Sequence, residues 1–217
     1  MAQQQRSNLG PTWVLAFAGA ALLLSLAARA ALGRRTAAKD IGSMEELYFA
    51  EVQELHSAEA QLGALLAEVP HTVPSATLMR TLDGYGIEVR SRREDLARIL
   101  RGDGVDPREH PDQAMQALLR ETRKMVQVCA TNIRAAALIA SVQRVLHYKI
   151  AGYGTVATYA QTLGRIHEAS RLAEYADRDK AVDEELTAIA KELVNPRAAA
   201  QPDAAGEERG AQASRPH

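Results

Sequence analysis

Cysteine occurs once in the 217 residues, at Cys129, so the chain has neither an internal disulfide nor a thiolate metal cluster available to it. With no base beside it in sequence, that thiol reads as a small buried apolar group. Aromatic residues make up only 4%, and runs of β-branched residues are scarce. Both shortages argue against a sheet, and the abundance of Ala, Leu, Glu and Arg argues for an all-α protein. Charge of either sign is also lacking in excess. A formal net charge of -1 excludes a nucleic-acid partner held by bulk charge. The sequence has no Gly-rich phosphate loop, no nucleophile and base pattern and no zinc signature. His56, His71, His110 and His167 stand at no ligand spacing and are assigned no role.

What is present falls into three segments. Residues 7–28, "SNLGPTWVLAFAGAALLLSLAA", carry no charge, and at about 1.5 Å per residue such a stretch can cross a hydrocarbon core of about 30 Å. Arg29, Arg34, Arg35 and Lys39 follow it, against Arg6 alone before it. The positive-inside rule then leaves the rest of the chain cytoplasmic behind a single-pass anchor over residues 1–43. Two other readings stay open. Ala28-Arg29-Ala30 fits a small-x-small signal cleavage site, which would export the domain, and a translation start at Met44 would leave it cytoplasmic. Residues 195–217 hold Pro, Gly, Ala and charge without an apolar period, the composition of a disordered tail. Between these ends lies one helical domain, residues 44–194.

Periodicity predicts four long helices and one short one in that domain. The first, 44–68, has the stripe Tyr48, Val52, Leu55, Leu62 and Leu66, interrupted by Glu59, and stops before Pro70 and Pro74. The second, 75–101, is capped by Ser75 and ends in "RGDG"; Leu78, Leu82, Tyr85, Val89, Leu96 and Ile99 form its stripe, with Arg92 on it and Glu88 at its edge. A short connecting helix spans 111–128. The fourth, 131–163, is expected to bury Ala136, Ile139, Ile150, Tyr153 and Val156 or Ala157, with Gln143, Leu146 and His147 on the same face. Gly152 and Gly154 in its interior suggest the close approach of another helix. The last, 166–194, carries Asp179 and Asp183 in the centre of its stripe and is expected to end at Asn195-Pro196. Counted from the turns, Glu59, Glu88, His147 and Asp179 or Asp183 come to similar heights. That predicts one polar layer across a four-helix bundle, the level at which bundles build carboxylate and histidine metal sites.

"ELYFAEVQELHSAEAQL", "ALIASVQRVLHYKIAGYGTVATYAQTLG" and "DKAVDEELTAIAKEL" resemble the YciE and YciF family of ferritin-like proteins, a bacterial domain of unknown function often tied to stress responses. The resemblance covers residues 44–191. It implies a ferritin-like four-helix bundle with one extra short connecting helix, a homodimer, and a di-metal centre of iron or manganese in the core. Carried over position by position, it marks Glu59, Glu88, Gln143, His147 and Asp179 as the retained metal-site candidates. It also exposes departures. Tyr85 stands where the family has a histidine, Leu146 where it has a glutamate, and Lys149 replaces an acid two residues after His147. Arg92 replaces a glutamine, and the family's E-E-K reads Arg178, Asp179, Lys180.

A di-metal site needs several carboxylates because bound cations neutralise them. Loss of a ligand at Leu146 and fixed positive charge at Arg92, Lys149 and Arg178 therefore predict a degenerate centre. In that reading the protein's own cations replace metal, no cofactor is bound, and the bundle serves a stress response or as a scaffold without being an enzyme. The alternatives are an active metal-dependent oxidase or iron-handling protein using Glu59, Glu88, His147 and Asp179, and a purely structural membrane-tethered bundle that dimerises through the Gly152 and Gly154 face.

Overall fold

The structure, a computed structural model, describes residues 40–200. The charge-free stretch 7–28, and with it the anchor and cleavage readings, lies outside the described residues, as does most of the expected tail. Among the described residues there is no strand, and no helix is long and apolar enough to cross a membrane.

Helix α1 (Met44–Glu68) starts behind Ser43, whose side chain accepts from the Glu46 N–H, and Glu45 and Glu46 complement the positive end of the helix. Helix α2 (Ala76–Gly102) starts behind Ser75, which accepts from Leu78 N–H, and is followed by Gly104 at φ 74°. Helix α3 (Gln113–Val128) is capped by Asp112, and half-buried Cys129 ends it. Helix α4 (Arg134–Thr162) and helix α5 (Ile166–Ile189) are joined by a tight turn through Gly164, also at φ 74°, a conformation that glycine adopts without a Cβ clash.

The last helix does not stop at Asn195-Pro196. A π-helical turn, Ala190–Val194, widens the backbone, and a short helix α6 (Asn195–Ala200) carries the chain on. Proline breaks an uninterrupted α-helix because its ring meets the carbonyl four residues back. Here Pro196 falls in the first turn after the wide one, where a missing N–H costs least.

Helices α1 and α2 form one hairpin and α4 and α5 the other, with α1 packed against α4 and α2 against α5. The connection between hairpins must return from the far end of α2 to the start of α4, and α3 makes that return alongside α1 and α4. One long crossover of this kind is the ferritin-like arrangement. Two apolar clusters fill the bundle. One contains Leu62, Leu66, Leu78, Leu82, Val142 and Leu186; the other contains Tyr48, Val52, Leu96, Leu100, Val156 and Leu172. Between them lies the polar layer. Gly152 admits α1, since a Cβ there would stand 3.2 Å from Leu55 Cδ2, whereas a Cβ at Gly154 would meet nothing within 4 Å.

Candidate functional site

At the middle of the bundle the side chains of Glu59 (α1), Lys149 (α4) and Asp179 (α5) are fully buried. Lys149 Nζ lies 2.8 Å from Glu59 Oε1 and 3.3 Å from Asp179 Oδ2, and donates to the Tyr85 hydroxyl at 2.8 Å. That hydroxyl donates in turn to Asp179 Oδ1 at 2.7 Å, which also accepts from Arg92 Nη1 at 2.5 Å. Tyr153 donates to Glu59 Oε1 at 2.5 Å. Two carboxylates thus face two cations, with phenols saturating part of what remains. All four long helices contribute, so the layer fixes their relative register.

Burial raises the Glu59 carboxyl above the ordinary glutamate range, with Lys149 opposing it. It also pushes the Tyr85 and Tyr153 hydroxyls well up, and the nearby Asp179 and Glu59 charges add to the effect. Taking charges out of water is expensive, and only close pairing and hydrogen bonding offset it.

Glu88 stands at the rim of this layer. Arg178 grips it in a fork at 2.7 and 2.9 Å, and Arg92 Nη2 reaches it at 3.4 Å. The bonds from Arg178 are the main reason that its carboxyl lies below the ordinary range. A planar guanidinium matches the two carboxylate oxygens.

Of the five residues marked from the sequence, the structure brings Glu59 and Asp179 together, leaves Glu88 on the edge and puts Gln143 and His147 elsewhere. The buried positions of α4 include Leu138, Val142, Val145, Lys149, Tyr153, Val156 and Ala160, a series spaced by three and four. His147 lies two residues from Lys149, about 200° around the helix at 3.6 residues per turn, so it cannot share that face. It is 69% exposed and pairs with Asp183 Oδ2 at 3.3 Å. Gln143 donates to Thr187 Oγ1 at 2.8 Å in the same outer groove between α4 and α5. Of the expected inward face of α4, Ile139, Leu146, Tyr153 and Val156 are buried as expected, while Gln143 and His147 lie off it. The spacing from Val142 through Val145 leads to Lys149, which the sequence marks as a cation near the layer and which the structure places at its centre.

The site does not fit a di-metal centre. A transition-metal ion takes four to six N or O donors, with open or water-filled positions among them. Here the carboxylates that would supply oxygen already hold an ammonium and a guanidinium, the Tyr85 hydroxyl is taken up between Lys149 and Asp179, Leu146 has no donor atom, and His147 points away. Glu59 Oε2 and Asp179 Oδ2 are buried oxygens without a hydrogen-bond partner, but Lys149 Nζ, 2.8 Å from the other Glu59 oxygen and 3.3 Å from Asp179 Oδ2, already occupies the space between the two carboxylates as a fixed cation. Among the described residues no group of three or more His, Cys, Asp or Glu side chains converges as a metal ion requires.

The crossover connection and the charged layer spanning four long helices define a ferritin-like all-α bundle protein. The chain belongs to the DUF892 family, a domain of unknown function, which matches residues 43–199. It is 30% identical to the protein YciF of Escherichia coli over 158 residues, covering 72% of this chain and 95% of that one. Solved structures are similar to it as well. The crystal structure of the E. coli stress protein YciF matches with a TM-score of 0.66 over 71% of this chain and 99% of the other, at 30% identity. YcfI of Rhodopseudomonas palustris, described as a candidate structural protein, matches with a TM-score of 0.65 at 25% identity over 69% and 96%.

Proposed function

We propose that this chain is a non-catalytic, scaffold-type member of its family, in which Lys149 and Arg92 stand where metal cations would otherwise balance the core carboxylates. The observation that carries this reading is the position of Lys149 Nζ, buried between Glu59 and Asp179 and bonded to Tyr85. An internal cation needs no loading, so the bundle keeps its register whatever the metal supply, a useful property for a protein of stress conditions. The description of YciF as a stress protein and of YcfI as a structural one supports that setting. Elemental analysis of the purified chain after incubation with iron(II) and manganese(II), followed by desalting, tests it. The expected result is no stoichiometric metal and no iron oxidation above buffer. Two tightly held ions per chain would overturn the proposal in favour of an oxidase or iron-handling role.

A second reading concerns assembly. Gly154, Ala157, Ala169 and Ala173 line an outer groove of about 460 Å³ along α4 and α5, with Ile166 60% exposed at one end and Asp177 and Lys180 at the other. Small side chains let another helix pair approach closely. An acid and a base at one end can exchange partners across a two-fold axis, so the occupant is a second copy of the chain. Gly154→Leu should convert a dimer to a monomer by light scattering; an unchanged mass would sink this reading.

A further inference from the structure

The six tyrosines are not distributed as simple core fillers. Five of them donate their hydroxyl to a carboxylate: Tyr48 to Glu168, Tyr85 to Asp179, Tyr148 to Asp112, Tyr153 to Glu59 and Tyr175 to Asp95. Three converge on the polar layer. The rings of Tyr153 and Tyr175 meet edge to face at 5.5 Å, and the Arg92 guanidinium lies 5.6 Å from the Tyr85 ring and 5.1 Å from the Tyr175 ring. Tyr153 is fully buried, whereas Tyr175 is half-buried and bonded to Asp95, which pairs at the surface with Arg171 and Arg98.

This geometry has a chemical consequence. A phenol that loses an electron becomes a strong acid, and an isolated charge is costly in an apolar interior, so oxidation inside a protein needs a proton acceptor already in contact. Tyr153 and Tyr175 each have one at 2.5 Å. We propose that Tyr175 and Tyr153 form a two-step relay that carries an oxidising equivalent from the surface into the core. The source is a one-electron oxidant of the peroxyl-radical or high-valent-metal class.

In the first step the oxidant takes one electron from Tyr175, and the phenolic proton passes to Asp95 Oδ2, leaving a neutral phenoxyl. In the second, an electron moves from Tyr153 to that phenoxyl. The Tyr153 proton passes to Glu59 Oε1 while Asp95 returns its proton to Tyr175. The balance is one electron delivered to the oxidant, one proton on Glu59 and one phenoxyl at Tyr153.

Flanking cations set the direction. An electron deficit costs most beside positive charge, and Tyr85 has both Lys149 at 5.1 Å and Arg92 at 5.6 Å. Tyr175 has Arg92 at 5.1 Å and Arg171 at its hydroxyl, and Tyr153 has Lys149 at 5.8 Å, with Arg92 acting on it from farther off. Tyr153 is therefore the ring on which the radical comes to rest, out of reach of coupling to a second protein. Burial, which raises the proton affinity of Glu59, works in the same sense.

The test uses the full-length protein, photogenerated tris(bipyridine)ruthenium(III) as oxidant and freeze-quenched EPR. A long-lived tyrosyl signal is expected, lost in Tyr175→Phe and in Tyr153→Phe. Because Tyr153→Phe also removes a donor to Glu59 and could impair folding, 3,5-difluorotyrosine placed at position 153 gives a variant that keeps the hydroxyl. Its fluorines should change the hyperfine pattern of the signal. An unchanged pattern, or a signal that survives undiminished in Tyr175→Phe, would overturn the relay.

Discussion

The inner layer around Lys149 and the outer groove around His147 lie on opposite sides of one helix, and they divide the family resemblance between them. Gln143 and His147, which keep the family's residues, face the groove with Thr187 and Asp183. Tyr85, Arg92 and Lys149, which depart from it, fill the core. On α4 the two positions that match the resemblance, Gln143 and His147, thus lie off the core face, and the one that departs from it as a cation, Lys149, lies on it. Charge changes in a bundle core have to compensate one another, because each leaves a buried partner behind. On the surface water absorbs a change.

The largest effect should come from Lys149. Lys149→Met fills a similar volume but leaves Glu59 without a cation in contact and removes the donor to Tyr85. Breaking a buried pair from one side costs about 3–5 kcal/mol, so urea unfolding should show a loss of that size. Adding Glu59→Gln to Lys149→Met should recover about 1–3 kcal/mol, since a neutral acceptor remains for Tyr153 and the uncompensated charge is gone. A double variant no more stable than the single one would show that the layer is not held by this pairing.

The helix ends were readable in the sequence because local chemistry sets them. Ser43, Ser75 and Asp112 cap the starts of α1, α2 and α3 through side-chain acceptors, and Gly104 and Gly164 take the left-handed conformation after the ends of α2 and α4. The stripes of α1 and α2 were equally readable, Glu59 and Arg92 included, since their apolar spacing is unbroken on either side. Helix α4 was harder. Its small and apolar residues surround the axis, so Gln143 and His147 could be read on the same face as Leu146, and only packing against α1 and α5 selects the face with Lys149. The extension past Pro196 was hidden for another reason: a π-helical turn has no sequence period that distinguishes it from the helix around it. The central ion pair of Lys149 with Glu59 and Asp179 joins residues 90 and 30 positions apart, a contact no local pattern contains.

At the rim, Glu88 offers an intermediate case, partly exposed but held by Arg178 and Arg92. Its folded carboxyl lies below the ordinary value, so its contribution is fully present above the usual glutamate pKa of about 4.3 and is lost as pH falls through the folded value. Glu88→Gln should cost about 1 kcal/mol or less at neutral pH, in keeping with a pair partly screened by solvent. The gap between wild type and variant should then close in acid. A gap that stayed constant down to the acid limit would mean that the carboxylate charge is not what holds this rim.

The smallest effect should be at His147, and it is the one that separates the two regions most cleanly. Its side chain is 69% exposed and its partner Asp183 is 3.3 Å away, a surface arrangement in which Coulomb attraction is screened and ordering the side chains costs entropy. His147→Ala should leave stability within about 0.5 kcal/mol of wild type, the usual range for surface changes away from caps and cores. Gln143 still holds Thr187 in that variant, so the groove keeps its shape. A loss approaching that of Lys149→Met would mean that the groove is bound into the same cooperative unit as the inner layer. The division of α4 into a structural face and a solvated one would then have to be abandoned.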